Sequence, residues 1–273
     1  MPELPEVECI RRGLDAAILG ERIVGVRVQR EDVVTVVGKS ARSRAQALGM
    51  DRTITGTSRH GKRLALLLSN DTCIEARLGM TGQLLLADDS ITKGAHAHVA
   101  WRLRCGRFLV FRDPRRFGGI ACMSQDELNA SWKQLGQDAL SVTNSEFQAA
   151  MSGTGRPIKA AIMDQARIAG VGNIYADEAL FLARIRPDRR TDECSEHQLD
   201  AIAGAIRRVL FESINAGGST IRDYARPDGS AGGFTDAHRV YGRIGLACTS
   251  CGTTLESGNI AQRTTVWCPR CQT

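Results

Sequence analysis

The sequence predicts an α+β protein of two domains, in which a β-rich N-terminal part is followed by a helical part that ends in a metal-bound hairpin. Three observations predict this fold class. Short apolar runs separated by turn residues occupy residues 22–113, a helical period appears from residue 145 onward, and two Cys-x2-Cys pairs lie near the C-terminus. The chain has 273 residues, which is enough for two modest cores.

An amphipathic helix is predicted at residues 4–18, ahead of the strands. Its apolar residues recur three or four positions apart from Leu4 to Leu14, and Pro5 suits the first turn. The glutamates at its start suit the positive end of a helix dipole, which is a purely structural explanation for this acidic N-terminus.

Strand-like segments separated by turn residues follow this helix. Short strands at such spacing indicate a β-sandwich or a barrel. We place an N-terminal β-sandwich domain at residues 1–130 and a linker at 131–144. The predicted strands lie at 22–30, 63–69, 73–78, 82–87, 98–105 and 107–113.

Helices dominate the next domain, which we place at residues 145–240. A glycine turn, Gly170-Val-Gly172, opens one of them at about Asn173, and backbone N–H groups at a helix N-terminus can bind an anion. The turn therefore indicates either a phosphate-binding helix-turn-helix variant or a plain helical hairpin. The predicted helices cover 145–151, 158–167, 174–185 and 195–218.

Four cysteines define the last domain, at residues 241–273. The spacing Cys-x2-Cys-x16-Cys-x2-Cys is typical of a site with four thiolates around one structural Zn²⁺ and no open coordination position. Two disulfides are the alternative, which a reducing cytoplasm disfavours. The predicted ligands are Cys248, Cys251, Cys268 and Cys271.

The segment between the cysteine pairs, 252–267, is predicted to form a β-hairpin. We place its turn at Ser257-Gly258-Asn259. The hairpin offers Gln262 and Arg263 to a groove or a phosphate, although Arg263 could equally be an ordinary solvated arginine.

Composition narrows the class of partner. Lys and Arg number 36 against 30 Asp and Glu, a formal charge of +6, which is compatible with a phosphate-rich partner. An apolar run long enough for a membrane span does not occur, and the acidic N-terminus lacks an apolar signal core. We therefore expect a cytoplasmic protein that does not contact membranes.

Five motifs occur in order along nearly the whole chain. They are the N-terminal PELPE, RLGMTG (77–82), DPRRFGG (113–119), GVGNIYADEAL (170–180) and AQRTT (261–265) in the four-cysteine hairpin. Together they resemble bacterial formamidopyrimidine-DNA glycosylase. The related endonuclease VIII branch typically has Gly at the position of Leu4, so the resemblance is to the first branch.

This resemblance implies a β-sandwich with a leading helix beside a helix-two-turn-helix domain that ends in a zinc hairpin, with DNA in the cleft between them. The implied activities are excision of oxidised purines, such as 8-oxoguanine and formamidopyrimidines, and nicking of the abasic site by β,δ-elimination. The implied partner is double-stranded DNA that contains oxidised bases or abasic sites, and we expect a monomer.

Catalytic residues are implied by the same resemblance. Pro2, exposed as the chain terminus once Met1 is removed, is the nucleophile that forms a Schiff base, and Glu3 moves protons beside it. Lys62 contacts phosphate next to the lesion and assists catalysis, whereas Arg263 grips phosphate and is linked to the second elimination. Glu6 supports the terminus through hydrogen bonds. We expect Glu8 to be solvated.

Extrusion of a base leaves a hole in the duplex, and the family fills it with three side chains. Met80, Arg115 and Phe117 match this trio, although Met80 and Phe117 could instead be core residues. Glycines beside both favour exposed turns. A lesion-capping loop is implied at about 218–236. Phosphate contacts are implied for His96, Lys159 and Asn173.

Two other functions stay open at this point. One is an enzyme of the same family that acts on oxidised pyrimidines, as endonuclease VIII does. The other is a DNA-binding zinc-ribbon protein without catalysis, which would explain the cysteines but leaves Pro2, Glu3 and Lys62 without a role.

Overall fold

The computed structural model describes residues 2–37, 43–221 and 223–273, and the chain divides into two compact units. The first unit comprises Met1–Lys133 and Ala216–Gly233, and the second comprises Gln134–Asn215 and Phe234–Thr273. Met1, for which removal is expected, lies outside the described residues, as does Arg222 in the implied lesion-capping loop.

Two antiparallel-rich sheets and a leading helix build the first unit. The strands are β1 Ile23–Val28, β2 Val34–Val36, β3 Ile54–His60, β4 Arg63–Leu68, β5 Thr72–Arg77, β6 Gln83–Ala87, β7 Ala97–Leu103, β8 Phe108–Arg112 and β9 Gly119–Ser124. One sheet has the strand order β1-β7-β8-β6, and the other has the order β2-β9-β5-β4-β3 with a parallel β2–β9 pair. The helices are α1 Leu4–Ile18, α2 Arg44–Ala47 and α3 Gln125–Trp132.

The core of this unit is shared by both sheets and by α1. Trp101 and Phe111 from one sheet and Leu66 and Ile74 from the other belong to a single buried cluster. The apolar stripe of α1, from Leu4 to Leu14, is fully buried. Its 3–4 spacing therefore places these side chains on the one face of the helix that packs against the core. The predicted sandwich with a leading helix is thus confirmed.

The segment 216–233 packs with the first unit, although it lies within the predicted 145–240 domain. The backbone N–H of Leu86 in β6 donates to Pro227 O at 2.7 Å, and the backbone N–H of Ser219 donates to Glu6 Oε1 at 2.8 Å. The hydroxyl of Tyr224 donates to Gly217 O at 3.0 Å. The first two bonds tie the segment to the sheet edge and to α1, and the third lies within the segment.

Helices and two short strand pairs build the second unit. Its helices are α4 Asn144–Met151, α5 Ile158–Ile162, α6 Asn173–Ala183 and α7 Glu196–Asn215. Its strands are β10 Gln137–Asp138 paired in parallel with β11 Ile168–Ala169, and β12 Glu256–Ile260 paired antiparallel with β13 Arg263–Trp267. Helix α6 begins at Asn173 as the glycine turn predicted.

Three predicted helices end earlier than expected. Helix α6 stops at Ala183, two residues short of the predicted end, where Arg184 adopts a left-handed conformation with φ +59°. Helix α5 stops at Ile162 because Asp164 forms a local turn, in which Asp164 Oδ1 accepts from the backbone N–H of Ala166 at 3.1 Å. Helix α7 stops at Asn215, just before Gly217 and Gly218, both of which have positive φ. In the described parts of the chain, the helices lack the length and apolar character needed to cross a bilayer.

Candidate active site

The first described residues of the chain are buried inside the first unit. Pro2 and Glu3 are both buried, and Glu3 is only 2% exposed. A reciprocal capping box begins α1: the backbone N–H of Glu3 donates to Glu6 Oε2 at 2.8 Å, and the Glu3 side chain accepts from the backbone of Glu6. An N-terminus fixed in this way differs from the frayed end of most chains.

The second carboxylate oxygen of Glu6 anchors the segment that begins at residue 216. Glu6 Oε1 accepts from Ser219 at 2.8 Å. Gly218 lies directly beside this bond with φ +89°, and a Cβ there would be 3.2 Å from Glu6 Oε1 and 2.9 Å from the Tyr224 ring. Glu6 therefore joins the terminus to the implied lesion-capping loop, which fits the supporting role expected for it.

Glu8 is buried, so the expectation that it is solvated is wrong. Its carboxylate accepts from Arg11 Nη2 at 2.9 Å, Arg12 Nε at 2.8 Å and Arg59 Nε at 3.0 Å. Burial by itself would raise the pKa of Glu8, but hydrogen bonds from these arginines outweigh it and lower the pKa to about 2.

Lys62 occupies the tight turn between β3 and β4. His60 pairs with Arg63, so Gly61 and Lys62 are the two loop residues, and a φ of +56° at Gly61 alone is typical of a type II′ turn. Lys62 is half-buried. The carbonyl oxygen of the preceding residue, Gly61, accepts a hydrogen bond from Arg59 Nη1 at 2.9 Å, which holds the backbone of the turn.

Met80 and Phe117 sit on two turns of the first unit that touch through glycine. Gly79 has φ +57°, and a Cβ there would lie 2.5 Å from the carbonyl carbon of Phe117. Met80 is 38% exposed and Phe117 is 60% exposed. The core alternative for these two side chains is therefore wrong, and both are displayed beside each other at the surface.

A buried carboxylate holds the same two turns together. Asp113 Oδ1 accepts from Thr81 Oγ1 at 2.5 Å, and Asp113 Oδ2 accepts from the backbone N–H of Gly118 at 2.8 Å. Thr81 Oγ1 in turn accepts from the backbone N–H of Arg115 at 3.1 Å, and the Arg115 guanidinium lies 4.7 Å from the Phe117 ring centroid. Sequence reasoning missed Asp113 and Thr81, although both lie inside the quoted motifs.

His96 lies at the surface just before β7, with φ +69°. Its backbone carbonyl accepts from Asp113 N at 3.1 Å, and its ring meets the ring of the buried His98 edge-on, with centroids 6.5 Å apart. His98 Nε2 lies 2.8 Å from Asp113 O. His96 is thus an exposed imidazole whose backbone is bonded to Asp113, the residue that holds the Met80–Phe117 turns together. Its ring is exposed and can reach a phosphate.

Lys159 is fully buried in the second unit, so its expected display toward a phosphate does not match its position. Its ammonium lies 2.7 Å from Asp177 Oδ1 and donates to Thr265 Oγ1 at 2.8 Å. An ion pair satisfies its charge inside the unit. Asn173 at the start of α6 is half-buried, and its Nδ2 donates to Thr264 O at 3.1 Å.

The turn of the β12–β13 hairpin lies at Ala261-Gln262, so its predicted position at Ser257-Gly258-Asn259 is wrong. Both turn residues have positive φ, +50° and +60°, which is the pattern of a type I′ turn. Gly258 is instead a strand residue, where a Cβ would lie 3.1 Å from the Trp267 ring. Arg263 therefore starts β13 at the exposed tip of the hairpin.

The four cysteines converge at the base of this hairpin, where their sulfur atoms all lie within 4.8 Å of one another. Cys248 Sγ and Cys271 Sγ are 3.9 Å apart, and Cys251 Sγ and Cys268 Sγ are 3.5 Å apart. Four thiolates at about 2.3 Å from one zinc ion would be separated by about 3.8 Å. The four thiols therefore fit one structural Zn²⁺, as predicted.

Three family models match successive parts of the chain. The model described as formamidopyrimidine-DNA glycosylase N-terminal domain matches residues 1–120, the formamidopyrimidine-DNA glycosylase H2TH domain matches 135–225, and the zinc finger found in FPG and IleRS matches 245–273. The chain belongs to the formamidopyrimidine-DNA glycosylase family.

Curated relatives support the family over the full length. The chain is 38% identical over 274 residues to the formamidopyrimidine-DNA glycosylase of Xanthomonas axonopodis pv. citri (strain 306). It is 39% identical over 277 residues to that of Stenotrophomonas maltophilia (strain K279a). In both comparisons, 100% of each chain is covered.

Solved structures of formamidopyrimidine-DNA glycosylases have the same fold. The MutM (Fpg) protein from Thermus thermophilus matches with a TM-score of 0.87 and 39% identity, covering 99% of this chain and 98% of that one. Lactococcus lactis Fpg in complex with an abasic site containing DNA matches with a TM-score of 0.89 and 30% identity, covering 100% of both chains. A complex between a Lactococcus lactis Fpg mutant and a Fapy-dG containing DNA has a TM-score of 0.90 and 30% identity over the full length of both.

Proposed function

We propose that this chain excises oxidised purines, including 8-oxoguanine and formamidopyrimidines, from double-stranded DNA and then nicks the resulting abasic site. The observation that carries the proposal is the buried N-terminus, in which Pro2 and Glu3 are held at the start of α1 by Glu6. Family membership supports the activity, and the DNA complexes of the Lactococcus lactis enzyme show the kind of DNA such a fold binds. The enzyme would act on DNA in the cytoplasm, as a monomer.

Pro2 is the proposed nucleophile. Once Met1 is removed, its nitrogen is a terminal secondary amine, and a terminal amine keeps a useful neutral fraction near pH 7. The nitrogen attacks C1′ of the deoxyribose, the bond from C1′ to the damaged base breaks, and the base departs with a proton. Opening of the sugar ring then gives an iminium between Pro2 and C1′.

The iminium explains how one residue supports both activities. Its fixed positive charge accepts electrons and acidifies the C2′ hydrogen, so loss of that proton expels the 3′ phosphate. A second elimination expels the 5′ phosphate, and hydrolysis releases the sugar fragment from Pro2. Glu3, the adjacent buried carboxylate, is the proposed group that carries protons to the opening ring and from the attacking amine.

Cations of the chain hold the phosphates in this proposal. Lys62 sits on its turn in the same unit as Pro2 and would contact the phosphate beside the lesion. Arg263, exposed at the tip of the zinc hairpin, would grip a second phosphate and assist the second elimination. His96 and Asn173 are proposed as further phosphate contacts. Zinc keeps the hairpin folded and takes no part in the chemistry.

The exposed Met80–Phe117 turns would fill the hole that base extrusion leaves. Met80 and Phe117 provide apolar surface that can wedge into the stack, and Arg115 provides donors for the orphaned base.

A panel of lesion-containing duplexes tests the function. The panel contains 8-oxoguanine, a formamidopyrimidine, an oxidised pyrimidine and an abasic site, and the products are resolved to separate excision from nicking. Fast release of both oxidised purines with nicking supports the proposal. Preference for the oxidised pyrimidine would favour the endonuclease VIII-like alternative, and binding without any release would favour the zinc-ribbon alternative.

A further inference from the structure

Glu8 is a buried carboxylate on α1 that the proposed mechanism does not use. It is 5% exposed, and three arginines donate to it over 2.8–3.0 Å. Arg11 and Arg12 come from the same helix, three and four residues further on, where such pairs are ordinary helix-surface contacts. Arg59 comes from β3, 51 residues away along the chain, and so connects different elements.

Arg59 divides its donors between Glu8 and the Lys62 turn. Its Nε donates to Glu8 Oε2 at 3.0 Å, and its Nη1 donates to Gly61 O at 2.9 Å. The side chains of both ions are nearly excluded from solvent, at 8% and 7% exposure. A planar guanidinium whose donors are held at both ends fixes the distance and the angle between the groups it bridges.

The Gly61 carbonyl belongs to the same peptide group as the Lys62 nitrogen. Holding that oxygen therefore sets the orientation of the peptide plane from which the Lys62 Cα projects. On the other side of the turn, the His60 ring stacks on Trp132 of α3, with centroids 5.9 Å apart and an interplanar angle of 25°. The turn is thus held by an ion pair on one side and by an aromatic pair on the other.

We infer that Glu8 and Arg59 are positioning residues that fix the Lys62 turn relative to α1, the helix that begins with the reacting end of the chain. The inference rests on the proposed function, because it gives Glu8 a role only if Lys62 assists a reaction at Pro2. Lysine has a long flexible stem, so the place of its ammonium depends on how firmly its backbone is held. Small displacements of a reacting constellation are costly, at about 100-fold in rate for about 1 Å.

Two variants separate this role from simple stabilisation. Glu8→Gln keeps the side-chain shape but removes the charge that holds Arg59. Arg59→Lys keeps the charge beside Glu8 but loses the fork that reaches Gly61 O. We expect each to slow single-turnover excision of 8-oxoguanine by about 10- to 100-fold at saturating enzyme. Affinity for a duplex with a non-cleavable abasic analogue should fall by no more than Lys62→Ala lowers it, because neither residue is proposed to contact DNA and only the Lys62 phosphate contact depends on them.

Arg12→Gln is the matched control. It removes another of the arginines on the same carboxylate without touching the turn, since Arg12 Nε contacts Glu8 Oε1. We expect its excision rate to stay within about twofold of the unaltered enzyme. Thermal unfolding of all variants shows whether a slow variant is merely unfolded. If Glu8→Gln does not fold, the excision rate of Arg59→Lys alone tests the positioning role.

A double-mutant cycle with Lys62→Ala gives the decisive outcome. If Glu8 acts through Lys62, then Glu8→Gln should cost less than about twofold once Lys62 is already alanine. Equal losses in both backgrounds, or a Lys62→Ala enzyme with the unaltered rate, would overturn the inference. Borohydride trapping of the unaltered enzyme on abasic DNA tests the proposed function separately. If the enzyme is trapped but Glu8→Gln costs the same in both Lys62 backgrounds, only the positioning role is wrong. If the enzyme is not trapped, the proposed function itself is wrong.

Discussion

The ammonium of Lys159 lies 2.7 Å from Oδ1 of Asp177, and neither side chain is exposed to solvent. Asp177 Oδ2 also accepts from the backbone N–H of Val266 at 3.2 Å, and Lys159 donates to Thr265 Oγ1. The pair thereby connects α5 and α6 to strand β13, which begins with the exposed Arg263. Lys159 therefore stabilises the packing of the hairpin, whereas the charge of Arg263 is exposed to solvent.

Lys159→Ala should destabilise the second unit. Removal of one partner leaves the buried Asp177 carboxylate uncompensated, which typically costs about 3–5 kcal/mol. We expect the double variant Lys159→Met with Asp177→Leu to recover most of that loss, because both charges leave together. Urea unfolding of the zinc-loaded protein measures both. A single variant as stable as the unaltered protein would contradict the buried pair.

Salt dependence of DNA binding distinguishes the two cations. Arg263→Ala should lower the slope of log affinity against log salt by about 0.9, the value for one lost phosphate contact. Lys159→Ala, measured where it remains folded, should leave the slope unchanged, because its ammonium faces Asp177. The opposite ranking would support the phosphate contact that the family resemblance implies for Lys159.

Arg115→Ala should reduce discrimination by the base opposite the lesion. An arginine in the vacated space can donate to acceptors of cytosine, whereas adenine presents a different pattern, and one good base contact is worth about 1–3 kcal/mol. Single-turnover excision of 8-oxoguanine paired with cytosine and with adenine measures the change. Arg116→Ala is the control, since that neighbouring exposed guanidinium lies 3.7 Å from Asp32. Equal losses on both pairings for Arg115→Ala would reduce it to a general DNA contact.

Cys268→Ser should release the metal and unfold the hairpin. The remaining thiolates give an incomplete tetrahedral set, and structural zinc sites contribute folding energy directly. We expect about one zinc per chain in the unaltered protein, much less in the variant, and weaker DNA binding with the first unit still folded. Cys105→Ser, an exposed cysteine outside the cluster, should keep its zinc. Metal analysis that finds no zinc in the unaltered protein would contradict the site.

Acid stability should depend on Glu8. Its folded-state pKa of about 2 lies below the ordinary value of 4.5, so its contribution is present above pH 4.5 and is lost as the pH falls from about 4.5 to about 2. With discounting for screening at this partly solvated network, we expect roughly 2 kcal/mol. The difference in unfolding free energy between the unaltered protein and Glu8→Gln should therefore shrink over that range. A constant difference would contradict the lowered pKa.

Local sequence patterns predicted the elements whose causes are local. Helix α1 has the predicted bounds because its apolar stripe and its acidic first turn lie in one short segment. The zinc site follows from spacing alone, since two tight knuckles fix four sulfur atoms. Strand β3 was missed because it lies at a sheet edge and is mostly polar, which removes the alternation that would have marked it.

Positions whose role depends on distant partners were predicted less well. Gly258 looked like a turn residue, yet its missing side chain makes room for the Trp267 ring on the neighbouring strand. Lys159 was expected to contact phosphate because it matches a family position, yet Asp177 neutralises it inside the unit. Glu8 looked solvated because its partner Arg59 lies 51 residues further along the chain. Pairing across that separation leaves no periodic signal in the sequence.

The amine of Pro2 is the proposed site of the covalent intermediate, and borohydride trapping followed by peptide mapping locates that intermediate. The enzyme is reduced on abasic DNA, which converts an iminium into a permanent bond, and the crosslinked peptide is identified by mass spectrometry. We predict that the adduct lies on the N-terminal peptide beginning at Pro2, and that Pro2→Gly loses most excision while still binding DNA. An adduct on Lys62 or another lysine, or full excision by Pro2→Gly, would rule out Pro2 as the nucleophile.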